Sequence, residues 1–246
     1  MSYCIYPLKL GTFEDFEKSS FTFGVDAGEK LESPLIVYVV EGEGRRVLFD
    51  AGPVSPAQAA AKNHRNINGL ISLTEALASV KLTPDDFDCV VLSHLHWDHS
   101  YNLELFPKTP IYVQREELRY AIAPLPCQYV ACNVHTGNGL PQWLVGYEQF
   151  RLVEGDYQLA SGLRLLALPG HTPGLQGLLV DTAEGSYLLA SDQYPTMENY
   201  ERVIPAGIHT DLAAWYRSHE KVKELDAQVL PAHDNCVFTR RCYGAM

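Results

Sequence analysis

The stretch Ser93-His94-Leu95-His96-Trp97-Asp98-His99 constrains this chain more than any other. Three histidines and one aspartate fall within six residues, directly after the apolar run Cys89-Val90-Val91-Leu92. Side chains alternate across a strand, so extended geometry carried past Leu92 sends His94 and His96 to one side, where they can share a metal ion. A backbone turn at Trp97 would aim Asp98 and His99 at a second point a few ångströms away. One short loop can thus half-build two metal sites, and any fold that hosts it must deliver the remaining ligands from elsewhere.

Three later positions supply such ligands, each at an expected strand end or turn. They are His171 in Pro169-Gly170-His171-Thr172-Pro173-Gly174, Asp192 in Ala190-Ser191-Asp192, and His233 in Leu230-Pro231-Ala232-His233-Asp234. A lone histidine is more often a surface group or a satisfied core residue. Five histidines and two aspartates arranged this way fit that bland reading poorly.

Ahead of the cluster, residues 1–33 carry Phe13, Phe16, Phe21 and Phe23 without a clean period, which reads as core or as a contribution to a pocket. Leu35–Val40 and Arg46–Asp50 read as a hairpin turned at Gly42-Glu43-Gly44, with Asp50 at the strand end before Gly52. Pro56 to Val80 has helical spacing, including Ala57, Ala59, Ala60, Ala61, Leu73 and Leu77, and Thr83-Pro84 opens another short helix. Beyond the cluster, Asn102–Phe106 and Arg115–Ala123 read as helices and Ile111–Gln114 as a strand. Residues 124–149 lose all periodicity at repeated prolines and glycines. Tyr129, His135, Trp143 and Tyr147 in that stretch suit either the wall of an apolar pocket or a surface excursion pinned by aromatics. Strands resume at Gln149–Val153 and Leu163–Leu168, followed by a hairpin, Leu178–Asp181 with Ser186–Ala190, turned at Glu184-Gly185. Thr210-Asp211 caps a helix running to about Leu225, and Ala227–Leu230 is the last strand. Strands and helices alternate in two halves, the α/β pattern of two packed sheets with helices outside.

His94-x-His96-x-Asp98-His99, followed in order by His171, Asp192 and His233, resembles the metallo-β-lactamase superfamily, and within it the N-acyl-homoserine-lactone lactonase branch. The resemblance runs from Leu35 to about His233 and takes in Val47-Leu48-Phe49-Asp50-Ala51-Gly52, Leu105-Phe106-Pro107 and Ile111-Tyr112-Val113-Gln114. It implies a four-layer αββα sandwich, the metallo-β-lactamase fold, as one domain over residues 1–246. It assigns His94, His96 and His171 to one zinc, Asp98, His99 and His233 to a second, and Asp192 to a bridge between them. Asp50 is implied to support the loop without being a ligand, although the residues alone fit a turn cap equally well.

Imidazole and carboxylate ligands that leave room for water are the chemistry of catalytic rather than structural zinc. Zinc lowers the pKa of bound water to about 7, and two ions ~4 Å apart can hold a hydroxide between them. The expected reaction is lactone opening: hydroxide attacks the ring carbonyl, and Asp98 or Asp192 returns a proton to the leaving alkoxide. The resemblance also implies a tyrosine on the carbonyl oxygen, and Tyr194 is the candidate, although it follows Asp192 by two positions where the family spacing is three. Iron or manganese suits the same donors.

The remaining features narrow the alternatives. A formal net charge of −11 over 246 residues, with no basic run longer than Arg45-Arg46 or Arg240-Arg241, argues against a nucleic-acid partner. Hydrophobic content of 46% with charged content of 20% is ordinary for a globular enzyme. No apolar stretch approaches the ~20 residues of a membrane helix, and the first residues lack the pattern of a secretion signal. A cytoplasmic enzyme acting on a small lactone or ester is expected, with a second copy of the chain as the candidate protein partner, in a homodimer. The six cysteines, Cys4, Cys89, Cys127, Cys132, Cys236 and Cys242, read as free thiols. A thioesterase of the glyoxalase II type shares the ligand set, but only 13 residues follow His233, where that enzyme carries a basic helical region. The absence of a secretion signal tells against a β-lactamase. A non-catalytic metal-binding protein would have no need of two open metal positions.

Overall fold

The computed structural model describes residues 2–57, 59, 67–135, 137 and 139–244. Its first element is a long strand, β1 (Tyr3–Glu17), paired antiparallel with β2 (Lys30–Gly42). Register shifts between Lys9 and Gly11 and between Phe13 and Phe16 interrupt the alternation of β1, which conceals it from a period-two reading of residues 1–33. β2 turns into β3 (Arg45–Phe49) over Glu43 and Gly44, at φ of 52° and 69°. Two positive φ values in a two-residue turn match the twist of the paired strands.

The first half of the fold is completed by a short β4 (Ile67–Asn68) against β1, helix α1 (Leu73–Ser79), β5 (Cys89–Val91), β6 (Ile111–Gln114), helix α2 (Arg115–Ile122) and β7 (Phe150–Val153). β3, β5, β6 and β7 run parallel, as the intervening crossovers require. Of the helical reading of Pro56–Val80, Pro56, Ala57 and Ala59 are helical, residues 67–72 are not, and α1 follows, its start fixed by a capping box between Ser72 and Glu75. Ala60 and Ala61 lie outside the described residues. In the second half, β8 (Tyr157–Ala160), β9 (Leu163–Ala167), β10 (Gln176–Thr182) and β11 (Gly185–Ser191) form an antiparallel meander. A short α3 (Met197–Glu201) and the Asp211-capped α4 (Leu212–Lys223) precede β12 (Ala227–Pro231), which lies parallel to β11.

Among the described residues, nine strands form one hydrogen-bonded path, β12-β11-β10-β1-β2-β3-β5-β6-β7, with β4 beside β1 and β9 and β8 branching from β10, and its two halves meet where β1 pairs with β10 at Tyr3 and Thr182. Side-chain alternation shows how the halves are layered. Ile36, Tyr38 and Val40 of β2 share a core with Leu165, Leu178, Val180 and Leu189 from the other half. Val37 and Val39 point the opposite way, toward Leu73, Ala76 and Leu77 of α1 and Leu118 and Ala121 of α2. Leu166, Leu188 and Val229 pack on Trp215 and Val222 of α4. Three apolar layers between four layers of structure make the αββα sandwich. All six cysteines are free. Among the described residues, no helix is long and apolar enough to cross a membrane.

Candidate metal centre

The histidine loop leaves the end of β5 and is held from below by Asp50, just past β3. Asp50 has φ +64°, a left-handed conformation that aspartate tolerates better than most residues. Its Oδ1 accepts the Ser93 N–H at 2.7 Å, and its Oδ2 accepts the Ser93 hydroxyl at 2.9 Å and faces His99 Nδ1 at 2.8 Å. It therefore supports the loop from outside the cluster. Ser191 precedes Asp192 with φ +48° and donates its hydroxyl to Ser93 Oγ at 2.8 Å, joining the two halves of the sandwich at the site. Gly170 lets the His171 turn lie against α4, since a Cβ there would come within 2.6 Å of the Trp215 Cα.

Four of the five histidines anchor Nδ1 outward. His171 Nδ1–H donates to the Ile208 carbonyl at 2.6 Å and His233 Nδ1–H to the Pro34 carbonyl at 2.9 Å. His99 uses Asp50, and His94 Nδ1 lies 2.9 Å from Ser93 Oγ. Carbonyl and carboxylate oxygens only accept, so when neutral the rings of His99, His171 and His233 carry the proton on Nδ1 and turn the Nε2 lone pair to the centre. His96 is reversed: its Nδ1 points inward, 3.0 Å from His171 Nε2.

The inward atoms fall into two groups, His94, His96, His171 and Asp192, and then Asp98, His99 and His233, with the ligand atoms of each within 4.8 Å of one another. Asp192 reaches both. Its Oδ2 lies 3.9 Å from His94 Nε2 and 3.3 Å from His171 Nε2, while its Oδ1 lies 3.5 Å from His99 Nε2 and 3.2 Å from His233 Nε2. Asp98 Oδ2 stands 3.7 Å from both His99 Nε2 and His233 Nε2. Buried polar atoms normally have partners. Here His94 Nε2, His99 Nε2 and Asp192 Oδ1 are buried without a hydrogen bond. Orphaned imidazole and carboxylate donors converging on two points fit two divalent cations.

Burial drives His94 and His96 well below the usual imidazole range, aided by neighbouring imidazoles, so both are neutral and ready to ligate. Burial lowers His171 as well, against the pull of Asp192. In the second group burial acts the same way and is outweighed: Asp98, Asp192 and Asp50 push His99 up to about 10, and Asp192 raises His233. Burial would raise Asp192, but His233, His99 and His171 hold it well below the usual carboxylate range.

Tyr194 does not join the cluster. It is fully buried, its hydroxyl lies 2.9 Å from His219 Nδ1, and its ring packs edge-on against Trp215 and Tyr200. The shorter spacing from Asp192 turns the side chain into the core beneath α4, so the expectation that it contacts substrate is corrected. Of the two readings of Trp143, the structure favours the aromatic that pins the excursion: it lies in the core with α1 and α2 and donates its indole N–H to the Cys132 carbonyl at 3.2 Å. Residues 124–149 instead reach the site through the Ala131 carbonyl, which accepts the Trp97 N–H at 2.8 Å, and through the buried Gln128 side chain beside His96.

Phe13 and Phe16 of β1, and Phe21 just past that strand, do reach the site. Phe21 stacks on His233 at 5.2 Å, Phe16 on Phe21 at 4.5 Å, and Phe13 meets Trp97 edge-on at 6.1 Å. A cleft of about 330 Å³ opens beside His233, lined by Lys18, Glu32, Thr196 and Asp234 among others. Sequence reasoning missed Glu117, whose carboxyl meets the backbone of both the His94–His96 and the His171 loops. Its one signal is a helical spacing of four from the buried Ala121, which puts an acid on the apolar face of α2.

Residues 36–233 match the family model of the metallo-beta-lactamase superfamily. The chain belongs to that superfamily. It is 32% identical over 235 residues to an N-acyl homoserine lactonase of Bacillus thuringiensis, spanning 89% of this chain and 88% of that protein. It is 30% identical over 231 residues to the N-acyl homoserine lactonase AiiB of Rhizobium rhizogenes, spanning 85% and 82%. It also superimposes with a TM-score of 0.79, at 26% identity and over 97% and 96% of the two chains, on an N-acyl homoserine lactone hydrolase with the product N-hexanoyl-L-homoserine at its catalytic metal centre.

Proposed function

We propose that this chain is a cytoplasmic dizinc hydrolase that opens the ring of an N-acyl homoserine lactone, with His94, His96 and His171 on one ion, Asp98, His99 and His233 on the other, and Asp192 between them. The observation that carries the reading is the Asp192 carboxylate, whose two oxygens face the two nitrogen groups at 3.2–3.9 Å. The relatives described above, all named for this lactone, supply the substrate class. Six free cysteines suit a reducing compartment.

When bound, a zinc pair supplies Lewis acidity, bringing the pKa of water to about 7 and drawing off the charge of a developing oxyanion. The protein does the rest. Asp50, Ser93 and the Ile208 and Pro34 carbonyls fix the ring orientations before substrate arrives, so little reorganisation remains. Asp98 has the most exposed side chain of the seven proposed ligands, at 18% against 7% for Asp192, and is the group placed to hand a proton to the leaving alkoxide. The row Phe13, Phe16, Phe21 and Trp97 offers an apolar surface beside the second metal group for an acyl chain.

The test is metal content with a substrate panel. Protein purified without chelators should carry close to two zinc ions per chain and should hydrolyse acyl homoserine lactones faster than thioesters or β-lactams. Asp192→Ala, with its fold retained, should lose both metal and hydrolysis. A metal content near zero, or thioesters cleaved faster than lactones, would overturn the reading.

A further inference from the structure

Glu117 lies in the first turn of α2, fully buried, at a position where an apolar residue would be the cheaper choice for stability. Burial pushes its carboxyl up to about 7, against hydrogen bonds that favour the charged form. Its two oxygens go to different places. Oε1 accepts the N–H of Leu95, the residue between His94 and His96, at 2.9 Å. Oε2 accepts the N–H of Gly174, three residues past His171, at 3.1 Å. The second loop is pressed directly onto the helix: a Cβ at Gly174 would stand 2.1 Å from the Glu117 nitrogen.

The three histidines of the first metal group therefore come from two loops that share one rigid carboxyl. Only a carboxylate matches this arrangement, because two backbone donors need two acceptor oxygens in one plane, and from this helix position the longer glutamate side chain makes both contacts. Glutamine offers a single acceptor and would set its NH₂ against the other backbone N–H. We infer that Glu117 is the positioning residue that fixes the distance between the His94–His96 loop and the His171 loop, and through it the geometry of the first metal subsite. The inference rests on the dinuclear reading above. It leaves the second subsite outside the reach of Glu117, since His99 and His233 are held by Asp50 and the Pro34 carbonyl.

The experiment loads the whole chain with Co²⁺ and follows its release to a chelator by visible absorption, for the wild type, Glu117→Gln and Glu117→Asp. His96→Ala, which removes a ligand of the first group only, identifies the phase belonging to that subsite. Glu117→Gln should accelerate this phase about 10- to 100-fold, the usual effect of removing a partner that orients ligands, with the other phase unchanged. Glu117→Asp keeps both acceptors and should fall between the two. Release unchanged in both variants, or both phases accelerated alike alongside a lower Tm, would overturn the inference, the second result marking a merely structural role. Should Glu117→Gln fail to fold, Glu117→Asp is read by the same two phases. A wild-type chain that binds no cobalt would instead defeat the dinuclear reading itself.

Discussion

The Tyr194 hydroxyl faces His219 Nδ1 at 2.9 Å inside a pocket closed by Trp215 and Tyr200. Tyr194→Phe should therefore leave kcat and KM for a lactone within about twofold while costing about 1–3 kcal/mol of stability, the range for a buried group left without its partner. Steady-state kinetics beside denaturant unfolding measure both, and a hundredfold fall in kcat would return the hydroxyl to the reaction. The same residue marks where reading from sequence stops. The candidate ligands that the fold gathers were legible because imidazoles and carboxylates at strand ends have few other uses in such number. Their supports were not: the Ile208 and Pro34 carbonyls carry no side-chain signature, and Glu117 hides beside Glu116 in an ordinary charged helix turn.

Among the elements, those with unbroken periodicity were legible, including β2, β3, β6, β10, β11 and α4. β1 was not, because its two register shifts scatter Phe13 and Phe16 out of phase. Nor was the function of residues 124–149, since an aromatic in an aperiodic stretch fits a pocket wall and a core plug equally well. The burial of Trp143 decides between these, at 2% exposure within the core that also holds Leu77 and Leu118. Trp143→Ala should destabilise the protein by about 3–5 kcal/mol, as truncation of large buried aromatics does. The folded fraction should keep its KM across acyl chain lengths. Thermal unfolding and chain-length kinetics on one preparation test this, and a KM rising with chain length in a fully stable variant would restore Trp143 to the pocket wall.

Across the whole molecule, the two halves of the sandwich share a single strand pair at Tyr3 and Thr182, and the C-terminal segment reinforces that seam. Tyr243 exchanges two backbone hydrogen bonds with Ile5 of β1, each 2.9 Å, while Arg240 Nη2 and the Gly244 N–H meet the Glu184 carboxylate at the β10–β11 turn, at 2.6 and 3.3 Å. The Arg240 guanidinium beside Glu184 is the main cause holding its pKa at about 2, against an ordinary 4.5. A depressed carboxylate binds fewer protons folded than unfolded, so its contribution is whole above pH 4.5 and disappears as pH falls through about 2. The pair is exposed and screened by salt, so the consequence is local opening rather than global unfolding. Hydrogen exchange at the Ile5 and Tyr243 amides should accelerate between pH 4.5 and 2 beyond the intrinsic rate. In Glu184→Gln these amides should already exchange quickly at pH 5 and show no such step, whereas amides of the histidine loop at pH 7 match the wild type. A variant that keeps the wild-type pH dependence would show that the seam is held by the Tyr243 backbone alone.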